Sequence, residues 1–158
     1  ESYVSVEQAS IYHAARGSIA WDDVDDKEAA LRKATDYMIQ NYRLAWKGYR
    51  VKPEQALDWP RDECYISGYR SGLHSTDYLI ASNVVPVEVR NACSELALKT
   101  AVEELNPDLT QQILSSSVGP ISVSYSNASP QYKRFRAIDM MLRHLLDGNS
   151  VTARVERS

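Results

Sequence analysis

Trp59-Pro60, within the run Leu57-Asp58-Trp59-Pro60-Arg61, constrains this chain more than any other pair of residues. Proline locks its own φ, offers no backbone donor and drives the preceding residue toward an extended conformation. A large aromatic ring is thereby held on a stiff corner in a loop between amphipathic helical segments. Two uses of such a corner are open: a plug folded back onto a small helical core, or a contact surface for another chain.

The flanking segments carry helical signals. Ser5-Val6-Glu7-Gln8 reads as a capping box that starts a short helix to about Ala15, with Gly17 placed to stop it. Val6, Ala9, Ile11, Tyr12 and Ala15 lie near one side, Ile11 toward its margin. The linker 18–26 holds Trp21 and then Asp22, Asp23, Asp25 and Asp26. Asp25 or Asp26 caps the next helix and the other carboxylates favour its positive end; a calcium loop would need glycine punctuation that is missing. A second helix spans about 27–42, with Leu31, Ala34, Thr35, Met38 and Tyr42 as its core stripe. Arg32, Lys33, Asp36 and Gln40 take the other side. An irregular arm follows, with one helical turn after Pro53, and ends at Trp59-Pro60.

Residues 62–83 are rich in Ser, Gly and Tyr without a helical period, and predict a projecting hairpin or loop. A third helix runs from near Pro86 to about Leu105, its face made of Val89, Ala92, Cys93, Leu96, Ala97 and Thr100. Residues 112–117 and 121–125 flank Val118-Gly119-Pro120, and Ile121, Val123 and Tyr125 alternate with serines. This predicts a β-hairpin or a pair of edge strands, marginal alone and open to pairing with another subunit. A last helix, about 130–146, carries Phe135, Ile138, Met141, Leu142, Leu145 and Leu146, and Gly148 ends it. The fold class is therefore mainly α: a small bundle of about four helices with a short β-hairpin, a projecting loop and an extended C-terminal tail. The length suits one domain over residues 1–148, followed by a tail at 149–158 that orders only on binding.

The net charge of −3 argues against a protein that coats nucleic acid non-specifically. Its distribution says more, because residues from Gln131 onward carry +3 and the rest −6. An acidic body with a basic end suits polar docking between copies, although a solvated helix face would look the same. Ten tyrosines against one phenylalanine suit surfaces buried on assembly. No run approaches a membrane span, and no signal-peptide pattern opens the sequence. Cys64 and Cys93 have no metal-ligand spacing, and a reducing intracellular site of folding is expected.

No catalytic constellation is legible. His13, His74 and His144 are isolated, no glycine-rich phosphate loop occurs, and Ser115, Ser116 and Ser117 have no neighbouring base. Glu103 and Glu104 point in different directions from one helix. Catalytic, cofactor and metal residues are all expected to be none. The richest binding signal is Tyr42, Trp46, Tyr49 and Trp59 interleaved with Arg43, Lys47, Arg50, Lys52 and Arg61, a pattern suited to single-stranded DNA.

Ser2-Tyr3-Val4-Ser5-Val6-Glu7-Gln8-Ala9, Ala30-Leu31-Arg32-Lys33-Ala34-Thr35-Asp36-Tyr37 and Gln55-Ala56-Leu57-Asp58-Trp59-Pro60-Arg61 occur in a recognisable order. Val84-Val85-Pro86-Val87-Glu88-Val89, Glu95-Leu96-Ala97-Leu98 and Val118-Gly119-Pro120-Ile121-Ser122-Val123-Ser124-Tyr125 follow. Together, from about Ser2 to Leu146, they resemble a tailed-bacteriophage family often called DnaT-like single-stranded-DNA-binding proteins, whose members look like head–tail connector (adaptor) subunits. The resemblance implies a structural virion protein in a ring of about twelve copies below the portal. Such a ring lies in the neck of the virion, is assembled in the host cytoplasm, and passes double-stranded DNA through its lumen without sequence-specific binding. Its implied partners are other copies, the portal protein and a downstream stopper or tail protein, with no membrane.

The resemblance also implies that the tail, with Val151, Arg154, Val155 and Arg157, binds the portal, since its position matches the C-terminal extension of connector subunits. Tyr65, Tyr69, Tyr78, Ile121, Val123 and Tyr125 are the candidate contacts to other subunits or a tail protein. Trp59 and Pro60 become a structural anchor that packs within the subunit. Residues 62–83 are longer than the family pattern, which suggests a contact outside the ring. The alternatives are a DnaT-like single-stranded-DNA-binding replication protein and a hexameric tail-completion or terminator protein.

Overall fold

A computed structural model describes residues 1–71, 74–107, 113–117, 122–125 and 133–147. Four α-helices form the framework: α1 Val6–Ala14, α2 Lys27–Tyr42, α3 Val87–Thr100 and α4 Arg136–Leu142. Three antiparallel strand pairs join them: β1 Tyr49–Arg50 with β2 Arg61–Asp62, β3 Tyr65–Ser71 with β4 His74–Leu79, and β5 Ile113–Ser117 with β6 Ser122–Tyr125. The mainly α expectation with small hairpins holds.

Local chemistry explains the first two helices. The Ser5 hydroxyl accepts the Gln8 N–H at 3.2 Å and the Gln8 amide oxygen accepts the Ser5 N–H at 3.4 Å, which closes the capping box. Gly17 turns the chain away at φ +66°. The buried face of α1 is Ala9, Tyr12 and His13, whereas Ile11 is exposed. Asp26 caps α2 by accepting the Ala29 N–H at 2.8 Å. The predicted stripe of α2 is buried, and Ala30 and Tyr37 extend it.

Helix α3 is central and packs on α1, α2 and α4. Val89, Ala92, Cys93, Leu96 and Ala97 are wholly buried, and the small side chains among them admit close helix approach. This helix ends at Thr100 rather than near Leu105. Nine residues past Leu96, at about 100° each, would point Leu105 to the opposite side. A tightened last turn, with the Val102 N–H on the Lys99 carbonyl at 3.0 Å, instead lets Leu105 tuck into the core.

Helix α4 is also shorter than the predicted 130–146, because competing contacts claim both ends. On the N-terminal side the Tyr37 hydroxyl donates to the Lys133 carbonyl at 2.8 Å. Phe135 sits at the cap in an extended conformation, its ring edge-on to Tyr37 with centroids 5.5 Å apart. On the other side a 3-10 turn at Arg143–Leu145 leads into a bridge between Leu146 and Trp46. There the Asp147 N–H donates to the Ala45 carbonyl at 2.8 Å, and the Lys47 N–H to the Leu145 carbonyl at 3.0 Å. These backbone groups cannot serve a longer helix as well.

Candidate functional site

The arm between α2 and β2 is built inward. Tyr42, at the end of α2, donates its hydroxyl to Asp139 of α4 at 2.7 Å. Its ring leans on Trp46 at 5.8 Å, and Trp46 meets Trp59 edge-on at 5.7 Å. All three rings are buried. The Trp59–Pro60 bond is cis, and the Gln55 side-chain amide brackets the corner by donating to the carbonyls of Leu57, at 2.7 Å, and Pro60, at 3.1 Å.

Charged groups lock this corner from within. The fully buried Asp58 carboxylate accepts the Arg43 Nε–H at 2.9 Å, and its backbone N–H donates to the Tyr3 hydroxyl at 3.1 Å. Arg61, also buried, donates its Nε–H to the Lys47 carbonyl at 2.8 Å and further protons to the carbonyls of Asp58 and Gly48. Burial lowers the Arg61 pKa from its ordinary value, and the neighbouring Asp58 charge opposes that shift. Trp59 is therefore packed inside the chain, with Pro60 beside it at the corner.

The stacking platform suggested by the aromatic and basic residues is not present as such. Of its four aromatics only Tyr49 faces solvent, at 69 % exposure. Arg43 is paired with Asp58, Arg61 is interior, and the Lys47 ammonium donates to the His144 carbonyl at 3.0 Å. What remains outside is a short strip of Tyr49, Arg50 and Lys52. Sequence reasoning missed Asp58 and took Arg61 for a surface cation. Opposite charges three residues apart around a Trp-Pro corner were the available sign.

Within residues 62–83, β3 and β4 pair as an antiparallel hairpin. Tyr65 lies opposite Leu79 and Ile66 opposite Tyr78; Tyr65, Tyr78 and Leu79 are each about half exposed. The backbone of Tyr69 pairs with Thr76. In the other hairpin the backbone of Val123 pairs with Ser116 and that of Tyr125 with Ile113. Strands β5 and β6 make their substantial contacts with each other. Ile121 and the tail residues Val151, Arg154, Val155 and Arg157 lie outside the described residues.

Remaining candidates for chemistry are interior or scattered. His13 is buried, with its Nε2 proton on the Ser94 carbonyl at 3.1 Å and its ring stacked on Trp21. His144 approaches Glu88 at 3.5 Å. Burial pushes both thiols up, so Cys64 and Cys93 hold their protons and are poor nucleophiles. Among the described residues no group of three or more His, Cys, Asp or Glu side chains is arranged to hold a metal, and no helix is long and apolar enough to cross a membrane. A cleft of about 340 Å³ beside Lys33, Tyr37 and Asn106 and one of about 430 Å³ beside Val4, Glu28 and Arg32 are both shallow and polar-rimmed.

Fold and surface thus define a mainly α protein whose arm buries three of its four aromatic rings and whose exposed tyrosines, among the described residues, are Tyr49, Tyr65 and Tyr78. A family model described as "Putative DnaT-like ssDNA binding protein" matches residues 1–158, and the chain belongs to that family. No curated protein and no solved structure matches it.

Proposed function

We propose that this chain is a head–tail connector subunit of a tailed bacteriophage: a structural virion protein, without catalysis, that forms a ring below the portal. The ring extends the DNA channel and offers a platform to a stopper or tail protein, while residues 149–158 engage the portal. The observation that carries this reading is the pair of hairpins. Two-stranded pairs are marginal alone, and among the described elements β5 and β6 contact chiefly each other, so their edges suit pairing with neighbouring copies. The half-exposed Tyr65 and Leu79, opposite each other on β3–β4, offer an apolar contact of the same kind. An acidic body suits a lumen through which DNA must slide.

The family's description favours a second reading, single-stranded DNA binding, and the exposed Tyr49-Arg50-Lys52 strip supports it. Electron microscopy of the purified protein, alone and with portal, separates the two. Rings that dock on the portal, and lose it on deletion of 149–158, are the expected result. Salt-dependent oligonucleotide binding abolished by Tyr49→Ala and Arg50→Ala, without rings, would replace the connector with the second reading.

A further inference from the structure

Helix α4 and the first residue of the 3-10 turn that continues it present Arg136, Met140 and Arg143 to solvent, spaced four and three residues apart and so on one face. Met140 is 56 % exposed, and neither arginine has an ion pair among the described residues. Leu44, 97 % exposed, lies at the same end of the molecule. Its neighbours Tyr42 and Ala45 hydrogen-bond to Asp139 of α4 and to Asp147 shortly after Arg143. A stripe that alternates guanidinium and apolar groups asks for a partner that is acidic and apolar.

The chain carries such a surface elsewhere. The 3-10 turn at Ile19–Trp21 leaves Ile19 75 % exposed, and Asp22, Asp23 and Asp25 follow it, all exposed. Asp26 alone is needed to cap α2; the other three carboxylates make no side-chain hydrogen bond among the described residues. The two surfaces lie at opposite ends of α2, since the acidic turn precedes its first residue and α4 is tied to its last through Tyr42–Asp139. Sixteen residues of helix hold them about 24 Å apart. One molecule cannot bring them together.

We infer that the Arg136–Met140–Arg143 face of one copy receives the Ile19–Asp25 turn of the next, an interface that rests on the connector reading and names its subunit contact. Two different surfaces in contact make a head-to-tail association, the type that closes into a ring when its rotation divides a full turn. Charges on both sides set register and speed the encounter, while Met140 and Ile19 supply the apolar centre.

Sedimentation velocity on the full chain at low and high salt tests this. Wild-type association should weaken as salt rises. Arg136→Glu with Arg143→Glu, and separately Asp22→Lys with Asp23→Lys and Asp25→Lys, should each weaken it about tenfold or more. Both sets are exposed and spare the Asp26 cap, so matched thermal melts check the fold. An equimolar mixture of the two variants should reassemble, because each reversed surface then meets its complement. Salt-insensitive rings, rings undiminished in both variants, or a mixture that stays apart would overturn this interface and leave the connector standing. A wild-type chain that remains monomeric at low salt would overturn both.

Discussion

At the scale of single residues, Tyr3 shows how the corner is held. Its hydroxyl accepts the buried Asp58 N–H at 3.1 Å, and burial raises its pKa, so the phenol stays neutral. Tyr3→Phe should therefore cost about 1–3 kcal/mol, the penalty for stranding a buried amide. Trp59→Ala should cost about 3–5 kcal/mol, because the ring is 1 % exposed and supports Trp46. Urea denaturation measures both, and a Trp59→Ala chain as stable as wild type that fails to assemble would return the residue to the surface. Trp-Pro stiffness together with resemblance set the expectation that Trp59 packs within the subunit, and its ring is buried. The partner of Arg43 was not legible, because a contact across fifteen residues leaves no periodic trace. Nor was the burial of Arg61, whose three acceptors are all backbone carbonyls.

Among elements, the small β1–β2 pair depends on how closely two backbones approach. Gly48 has φ +67°, and a Cβ there would lie 2.2 Å from the Asp62 carbonyl oxygen. Gly17 has nearly the same φ, +66°, with open space around it. Gly17→Ala should thus cost only the left-handed conformation, about 1 kcal/mol. Gly48→Ala should cost distinctly more and disturb the Arg61 bonds to the carbonyls of Lys47 and Gly48. Paired thermal melts decide this; equal losses would mean the β1–β2 approach is soft. Helix α2 was readable to its ends because its stripe and Asp26 cap agree. The limits of α3 and α4 were not. Leu105 and Phe135 are apolar residues in helical sequence that the tertiary structure takes from other directions, and periodicity cannot foresee a bridge between Leu146 and Trp46.

For the whole molecule, the abundance of tyrosine becomes a statement about pH. Tyr3, Tyr12 and Tyr42 all have raised pKa values, first because burial disfavours the phenolate, and Tyr12 reaches about 12. Beside Tyr12 and Tyr42, the carboxylates of Glu95 and Asp139 accept the phenol protons and raise those values further. Cys64 and Cys93 are shifted in the same direction by burial. Below about pH 8 these groups are neutral in folded and unfolded chains alike and add no slope. Above their ordinary values of 9.0 for the thiols and 10.0 for the phenols, the unfolded chain releases protons that the native one retains. The unfolded state then binds fewer protons, so stability must fall as pH rises, through Tyr12's window of about 10 to 12 and beyond it for the more deeply buried phenols. Urea midpoints should hold steady from about pH 7 to 8 and then decline through about pH 11 without a change in m. Tyr42→Phe supplies the internal control. It removes the bond that ties α2 to α4, so it starts from lower stability, yet its alkaline slope should be shallower than wild type because one phenol no longer titrates. Parallel slopes in the two proteins would show that Tyr42 ionises freely, and the tie between α2 and α4 would then have to lie elsewhere than in a neutral phenol donating to Asp139.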